Sequence, residues 1–386
     1  MKSNYSKYKI FKKKFHGLIY KGIALDYALG SYLAQYVWSN KKVRFILGLL
    51  FEGYKLDYSY ISKKKNEYDV FTYYIERDDY RKLIEGYIEK SDTEYELVKI
   101  ESEKKWKNLF LSLTYIYESW VLSRGRKFGV IDLLFVAFSL RVIDKIGNLN
   151  FKGYMSFNSA FKYESFLSLY FNARDVETFS IQHGAYFNFK NDTPIDVINY
   201  ENLCSSNLLC WGQYTVDQIK NLVPKYTNIV NYGYPLVHSA NNYKPQKENK
   251  AIYILVPRSI YKEEILNLFK ILKDTGEEFV IRPHPSVKKE IGNYITTNKL
   301  EWIIDDKETM HSLLRKYKFK ACISFNSTAL FECILFNQNA IQYVSDNDEF
   351  ILDNLCKFNN IITFKNAIET SVKQTVDVSY FFKSVL

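Results

Sequence analysis

From Val70 onward the chain alternates short β-branched or aromatic runs with stretches of helical apolar spacing, and such alternation points to an α/β architecture. Strands are expected over residues 70–75, 154–157, 178–182, 208–211 and 229–233, with helices over 78–89, 161–171 and from Thr215. Residues 234–250 carry Pro235 and Pro245 without apolar period, which marks a domain boundary. A second series follows, with strands at 252–256, 279–281, 302–304, 321–324 and 340–343 and helices at 263–272 and 328–335. The expected domains are a basic helical segment (1–65), an N-terminal α/β domain (66–240), a C-terminal α/β domain (250–365) and a helical tail (366–386).

A length of 386 residues suits two medium domains, and 47% hydrophobic with 25% charged residues excludes a disordered or disulfide-scaffold chain. The five Cys form no CxxC pair and are odd in number, so a reduced, cytoplasmic compartment without disulfides is expected. Aromatic residues reach 17%, but they are spread along the whole chain, as an AT-rich genome would leave them. Charge is more localised. Residues 1–65 hold 13 Lys and Arg44 against Asp26, Glu52 and Asp57, which is the whole excess of the +10 chain. Leu25, Leu29 and Leu33 lie at helical spacing nearby, interrupted by Lys21 and Asp26, so an amphipathic helix and not a membrane span is expected. Together they suggest peripheral docking on the anionic inner face of the cell membrane. The alternative is a helix packed on the first α/β domain with solvated lysines.

Three polar clusters fall where strands should end, the edge at which open α/β sheets bind ligands. In Ser180-Ile181-Gln182-His183-Gly184 the glycine permits a sharp turn, leaving the His183 imidazole to accept a proton near neutral pH. In Arg282-Pro283-His284-Pro285 two prolines fix the backbone around His284, and the Arg/His pair suits a phosphate. In Ser324-Phe325-Asn326-Ser327-Thr328 a strand runs into cap residues whose hydroxyls and free N–H groups suit an anion. Glu332, one turn on, could accept from ribose hydroxyls. Taken singly, each cluster also fits a plain structural role: a loop-bonded His, a rigid turn, a helix cap.

Taken together, the three clusters with Cys210-Trp211-Gly212 and Tyr232-Gly233-Tyr234-Pro235 resemble the two-domain GT-B type transferases of bacterial surface polysaccharide synthesis. These include capsule Kdo and sialic acid transferases and the CDP-glycerol glycerophosphotransferases of teichoic acid synthesis. The resemblance covers roughly residues 150–345. It implies two Rossmann-like domains facing across a cleft, with a helical N-terminal extension, and it implies that His284, Ser327 and Thr328 hold the donor phosphate. Two features depart from it: Asn337-Gln338-Asn339 stands where Gly-Lys-Pro is usual, and residues 1–65 have no counterpart.

The implied activity is metal-independent, inverting glycosyl transfer in capsule or lipopolysaccharide synthesis. The first donor to consider is a CMP-activated acidic sugar such as Kdo or a sialic acid, and the acceptor a glycan or lipid-linked glycan. Arg282 and His284 would neutralise the leaving phosphate. His183 and Glu164 are the candidates for general base, with Asp192 and Asp196 next. No cofactor beyond the donor is expected, and no metal, because Asp78-Asp79 and Asp305-Asp306 read as solvated loop or cap residues. Rivals are a CDP-polyol phosphotransferase, a UDP-sugar 2-epimerase, and a nucleic-acid or lipid binding protein. A nucleic-acid partner is disfavoured because the charge is confined to the N-terminus.

Overall fold

The structure is a computed structural model that describes residues 3–57, 69–74, 77–91, 93–147, 149, 151–189, 193–236, 247–305, 307–325, 327–345, 355–372 and 376–384. Asp192, Asp306 and Asn326, named above, lie outside these residues, as do the side chains of Asp78 and Asp79. The chain divides into two compact units, Met1–Pro235 and Leu236–Val385.

In the first unit β1 (Ile19–Tyr20) and β2 (Ile23–Ala24) form a hairpin. The main sheet comprises β3 (Glu52–Asp57), β4 (Asp69–Tyr73), β5 (Tyr95–Lys104), β6 (Gly153–Ser156), β7 (Thr178–Ile181), β8 (Asn207–Cys210) and β9 (Asn228–Asn231). Its order is β3-β5-β4-β6-β7-β8-β9, parallel throughout except for the antiparallel edge pair β3/β5. The chain leaves β4 for β5 on one side and returns to β6 on the other, so β4 and β6 flank a topological switch point. Residues 52–57, expected to be helical, are a strand, and β5 was not anticipated at all. In β5 only Val98 and Ile100 are fully buried among Glu and Lys, so its apolar alternation is short and half-hidden.

Residues 3–57 group with the first unit, and the apolar face of residues 25–33 is packed inside it, as in the alternative given above. Leu25, Leu29 and Leu33 are each 0% exposed, in one core with Phe135, Phe138 and Phe166. Fully burying three leucines stabilises by roughly 5–9 kcal/mol, far more than a loosely held surface contact would return. Several lysines are also engaged internally: Lys9 with Glu201, Lys14 with Asp132 at 3.0 Å, and Lys21 with Asp144 at 2.7 Å.

The second unit holds β10 (Lys247–Val256), β11 (Phe279–Pro283), β12 (Ile303–Ile304), β13 (Tyr317–Ser324), β14 (Ala340–Tyr343) and β15 (Cys356–Phe358). All pairs are parallel and the order is β12-β11-β10-β13-β14-β15. Counted from β10 this is 3-2-1-4-5-6, the Rossmann order, with its switch point between β10 and β13. The helix Lys262–Leu272 buries Ile265, Leu268, Phe269 and Leu272, at the spacing its sequence shows. Near the C-terminus the helix Val378–Phe381 places Phe381 on Phe331, 5.3 Å between ring centres. Both units are thus Rossmann-like α/β.

Candidate active site

In the second unit the expected donor residues gather at the carboxyl edge on either side of β10. After β11, the His284 amide donates to the Val256 carbonyl at the end of β10 (3.1 Å). The His284 Nδ1 accepts the Ser286 amide at 3.2 Å and lies 2.9 Å from Ser286 Oγ. An amide can only donate, so Nδ1 is the acceptor and the neutral ring carries its proton on Nε2. Ser286 Oγ in turn accepts the Ser259 amide (3.1 Å), tying the turn after β11 to the one after β10.

On the other side of β10, β13 ends at Ser324, whose buried hydroxyl donates to the Leu255 carbonyl (2.8 Å). Ser327 then caps the helix Thr328–Leu335, its Oγ accepting the Ala329 amide (3.3 Å). Strands in a sheet stand about 4.8 Å apart, so the His284 turn and the Ser327 cap bracket about 10 Å of sheet edge. That edge offers an imidazole N–H, hydroxyls and the positive end of a helix dipole, a suitable setting for a phosphate.

Two of these residues have partners that the sequence did not reveal. The Arg282 Nη1 donates to Asp305 Oδ2 and to the Glu308 carbonyl, both at 2.7 Å. Asp305 is also held by the Tyr253 hydroxyl (2.7 Å), and its side chain is only 7% exposed, so it is not a solvated loop residue. The pair locks the end of β11 to the segment after β12 and balances the Arg charge internally. Glu332 receives a partner that the sequence did not reveal: Nε2 of His311, on the helix Met310–Lys316, lies 3.1 Å from its Oε1. Nothing but its being one of five His residues marked His311 in advance.

In the first unit His183 follows β7 as expected. Its turn needs no left-handed backbone at Gly184. Gln182 closes it, with Nε2 donating to the Gly184 carbonyl (2.8 Å) and Oε1 accepting the Trp211 amide (2.7 Å). The imidazole lies against Phe157 (4.9 Å between ring centres), Tyr80 (6.2 Å) and Tyr186 (5.8 Å), with Nδ1 3.1 Å from the Tyr186 hydroxyl. Desolvation by these rings pushes the His183 pKa down to about 4, against the upward pull of the Ile181 backbone and Asp196.

His183 is therefore neutral at physiological pH. An unfolded His takes a proton near pH 6.5 that the folded site refuses, so this contribution to stability is intact above 6.5 and declines as pH falls towards 4. The His183→Gln variant should accordingly lose less stability than the parent between pH 7 and pH 4.5, by on the order of 2 kcal/mol. Equal losses in urea titrations at the two pH values would show that the ring is not shielded.

Glu164, the other candidate base, is buried beneath the edge at 1% exposure. Its Oε1 accepts the Phe157 amide (2.9 Å), with Thr72 Oγ1 at 3.4 Å, between β4 and β6. Burial raises its pKa well above the carboxylate range, outweighing the amides of Phe157 and Asn158. Its geometry is that of a positioning residue that holds the loop after β6. Glu164→Gln keeps an acceptor for the amide and should retain turnover, whereas Glu164→Leu orphans it and should cost about 1–3 kcal/mol of stability. Loss of turnover in the Gln variant at unchanged melting temperature would return the base role to Glu164.

No protein-family model and no curated protein matches this chain. Solved structures similar to it include the UDP-GlcNAc 2-epimerase from Methanocaldococcus jannaschii, at 11% identity and TM-score 0.48, over 81% of this chain and 95% of that one. The wall teichoic acid polymerase TagF aligns at 12% identity and TM-score 0.39, over 91% of this chain and 92% of that one. A UDP-GlcNAc 2-epimerase from Neisseria meningitidis, solved bound to UDP-GlcNAc, aligns at 10% identity and TM-score 0.42, over 81% and 95% of the two chains. Likenesses of this size carry no chemistry, which rests instead on the chain's own strand order and edge residues.

Proposed function

We propose that this chain is a nucleotide-sugar-dependent, metal-independent inverting glycosyltransferase of capsule or lipopolysaccharide synthesis, acting at the cytoplasmic face of the membrane. Its donor is a CMP-activated acidic sugar, such as Kdo or a sialic acid, and its acceptor a glycan or lipid-linked glycan. The observation that carries this reading is the 3-2-1-4-5-6 strand order of the second unit, with His284 and the Ser327–Thr328 helix start flanking its first strand.

The bond from the anomeric carbon to the donor phosphate oxygen breaks, and charge grows on that oxygen. The His284 Nε2–H and the N–H groups and hydroxyls at Ser327 and Thr328 meet it. The acceptor oxygen forms the new bond to the anomeric carbon and loses its proton to a general base, for which the first unit offers His183, a weaker base than the sequence suggested because its pKa is lowered to about 4. Arg282 serves indirectly, holding the His284 turn through Asp305. With Asp305 committed to Arg282 and Tyr253, the edge relies on donors in place of a metal.

Calorimetric titration of the full chain with CMP, CDP, UDP and GDP in the presence of EDTA tests the reading. CMP should bind, and at a hundredfold excess over its Kd should stabilise the fold by about 2.7 kcal/mol. Failure of all four nucleotides to bind, or binding only with Mg²⁺ restored, would overturn it. Phosphorus appearing in the acceptor product would instead identify a CDP-polyol phosphotransferase.

A further inference from the structure

The helix Trp106–Leu122 carries an apolar stripe that the first unit does not cover. Trp106, Phe110, Leu113, Tyr117 and Trp120 recur at steps of four and three and are 71, 65, 54, 69 and 49% exposed. The opposite side of the same helix is anchored: Asn108, Ser112 and Ser119 are buried, and Ser112 Oγ donates to the Leu50 carbonyl at 3.2 Å. The stripe is thus held rigidly outward, and a run of large aromatic side chains facing water marks an interaction surface. The neighbouring helix Lys42–Phe51 adds Val43 and Leu47, 75 and 52% exposed.

The charge around this face is predominantly positive, although Glu103 pairs with Lys105 at 2.6 Å and Glu118 is exposed. Lys104, Lys105 and Lys107 are exposed at the start of the helix, Arg124 and Lys127 just past its end, and Lys41, Lys42 and Arg44 at the start of its neighbour. Along the helix itself Glu118 is the sole carboxylate. Arg124 also stacks on the Trp120 ring, 5.1 Å from its centre. A second copy of the chain would bring like charge against like charge, whereas an anionic lipid surface offers phosphates to the cations and an acyl boundary to the rings. Among the described residues no helix is long and apolar enough to cross a membrane, so this one would lie in the plane of the surface.

We infer that the helix Trp106–Leu122, with its flanking cations, is the docking surface of this protein on an anionic bilayer. The inference is independent of the reaction assigned to the sheet edges. It assigns the membrane contact to this exposed face and not to the leucines near residue 30, which are buried.

The test uses the full chain and vesicles of phosphatidylcholine with or without phosphatidylglycerol. Sedimentation should carry the protein down with the anionic vesicles and at least tenfold less with neutral ones. Trp fluorescence should shift to the blue on binding, and brominated lipid should quench it through Trp106 and Trp120. Phe110→Ser/Trp120→Ser should reduce binding tenfold or more, as should Lys104→Glu/Lys105→Glu/Lys107→Glu, both with unchanged melting temperature and CMP binding. Because these positions are exposed, unaltered melting separates a lost surface from a lost fold, and unaltered CMP binding separates it from a lost donor site. Unchanged vesicle binding in either variant would overturn the inference. So would a dimer in sedimentation equilibrium that the Ser variant dissociates while the parent ignores vesicles, which would make the face a contact between copies.

Discussion

On the proposed reaction, replacing His284 by Ala should lower the transfer rate by about 10²-fold or more, the loss typical of removing one preorganised donor from a developing negative charge. The backbone bond from the His284 amide to Val256 survives the substitution, so the strand ends stay joined. What is lost is the imidazole, both its Nε2 proton and the Nδ1 acceptor of the Ser286 amide. His284→Asn separates these roles, because an Asn carboxamide oxygen can accept the same amide while offering nothing at the position of Nε2. Steady-state kinetics should find the Asn variant as impaired as the Ala variant, with melting temperatures close to the parent. Recovery of turnover in the Asn variant would reduce His284 to a turn cap and remove it from the donor site.

Asp305→Ala is the substitution with the largest expected effect on stability outside the apolar cores. It leaves the Arg282 guanidinium without its carboxylate and the Tyr253 hydroxyl without its acceptor. Breaking a buried pair from one side costs about 3–5 kcal/mol, which the 30% exposure of the Arg282 side chain reduces to roughly 2–3 kcal/mol. Urea unfolding should record a lower midpoint with unchanged slope. Removing both charges, as Arg282→Met/Asp305→Leu, should recover part of the loss, because no uncompensated ion then remains inside. A loss below about 0.5 kcal/mol for Asp305→Ala would mean that the pair is a surface contact of little worth. Turnover should also fall, since the His284 turn follows directly from the strand end that this pair holds.

Much was legible without coordinates. The apolar runs at 154–157, 252–256 and 321–324 predicted parallel strands, because strands covered on both faces must be apolar throughout. Prolines around His284 and cap residues at Ser327–Thr328 marked the turns that follow β11 and β13. These signals are local, carried by residues within a few positions of each other. The pairing of Arg282 with Asp305, of Glu332 with His311, and of Glu164 with the Phe157 amide crosses elements, and composition or spacing cannot express which partner a polar group meets.

The sequence by itself determined the alternation of strand and helix in most of the two α/β series and the turns that follow β7, β11 and β13, because period, prolines and cap residues act over one or two turns of chain. Only the tertiary structure decided the strand order that puts β10 between the His284 turn and the Ser327 cap. It alone decided that Glu164 lies under the edge instead of on it, and that Arg282 answers to Asp305. It also decided which of two amphipathic helices keeps its apolar face in water. Leu25, Leu29 and Leu33 are covered by Phe135, Phe138 and the helices around them, while Trp106, Phe110 and Trp120 are not. A hydrophobic stripe states that a face needs covering; what covers it depends on residues more than a hundred positions away, brought there by the fold.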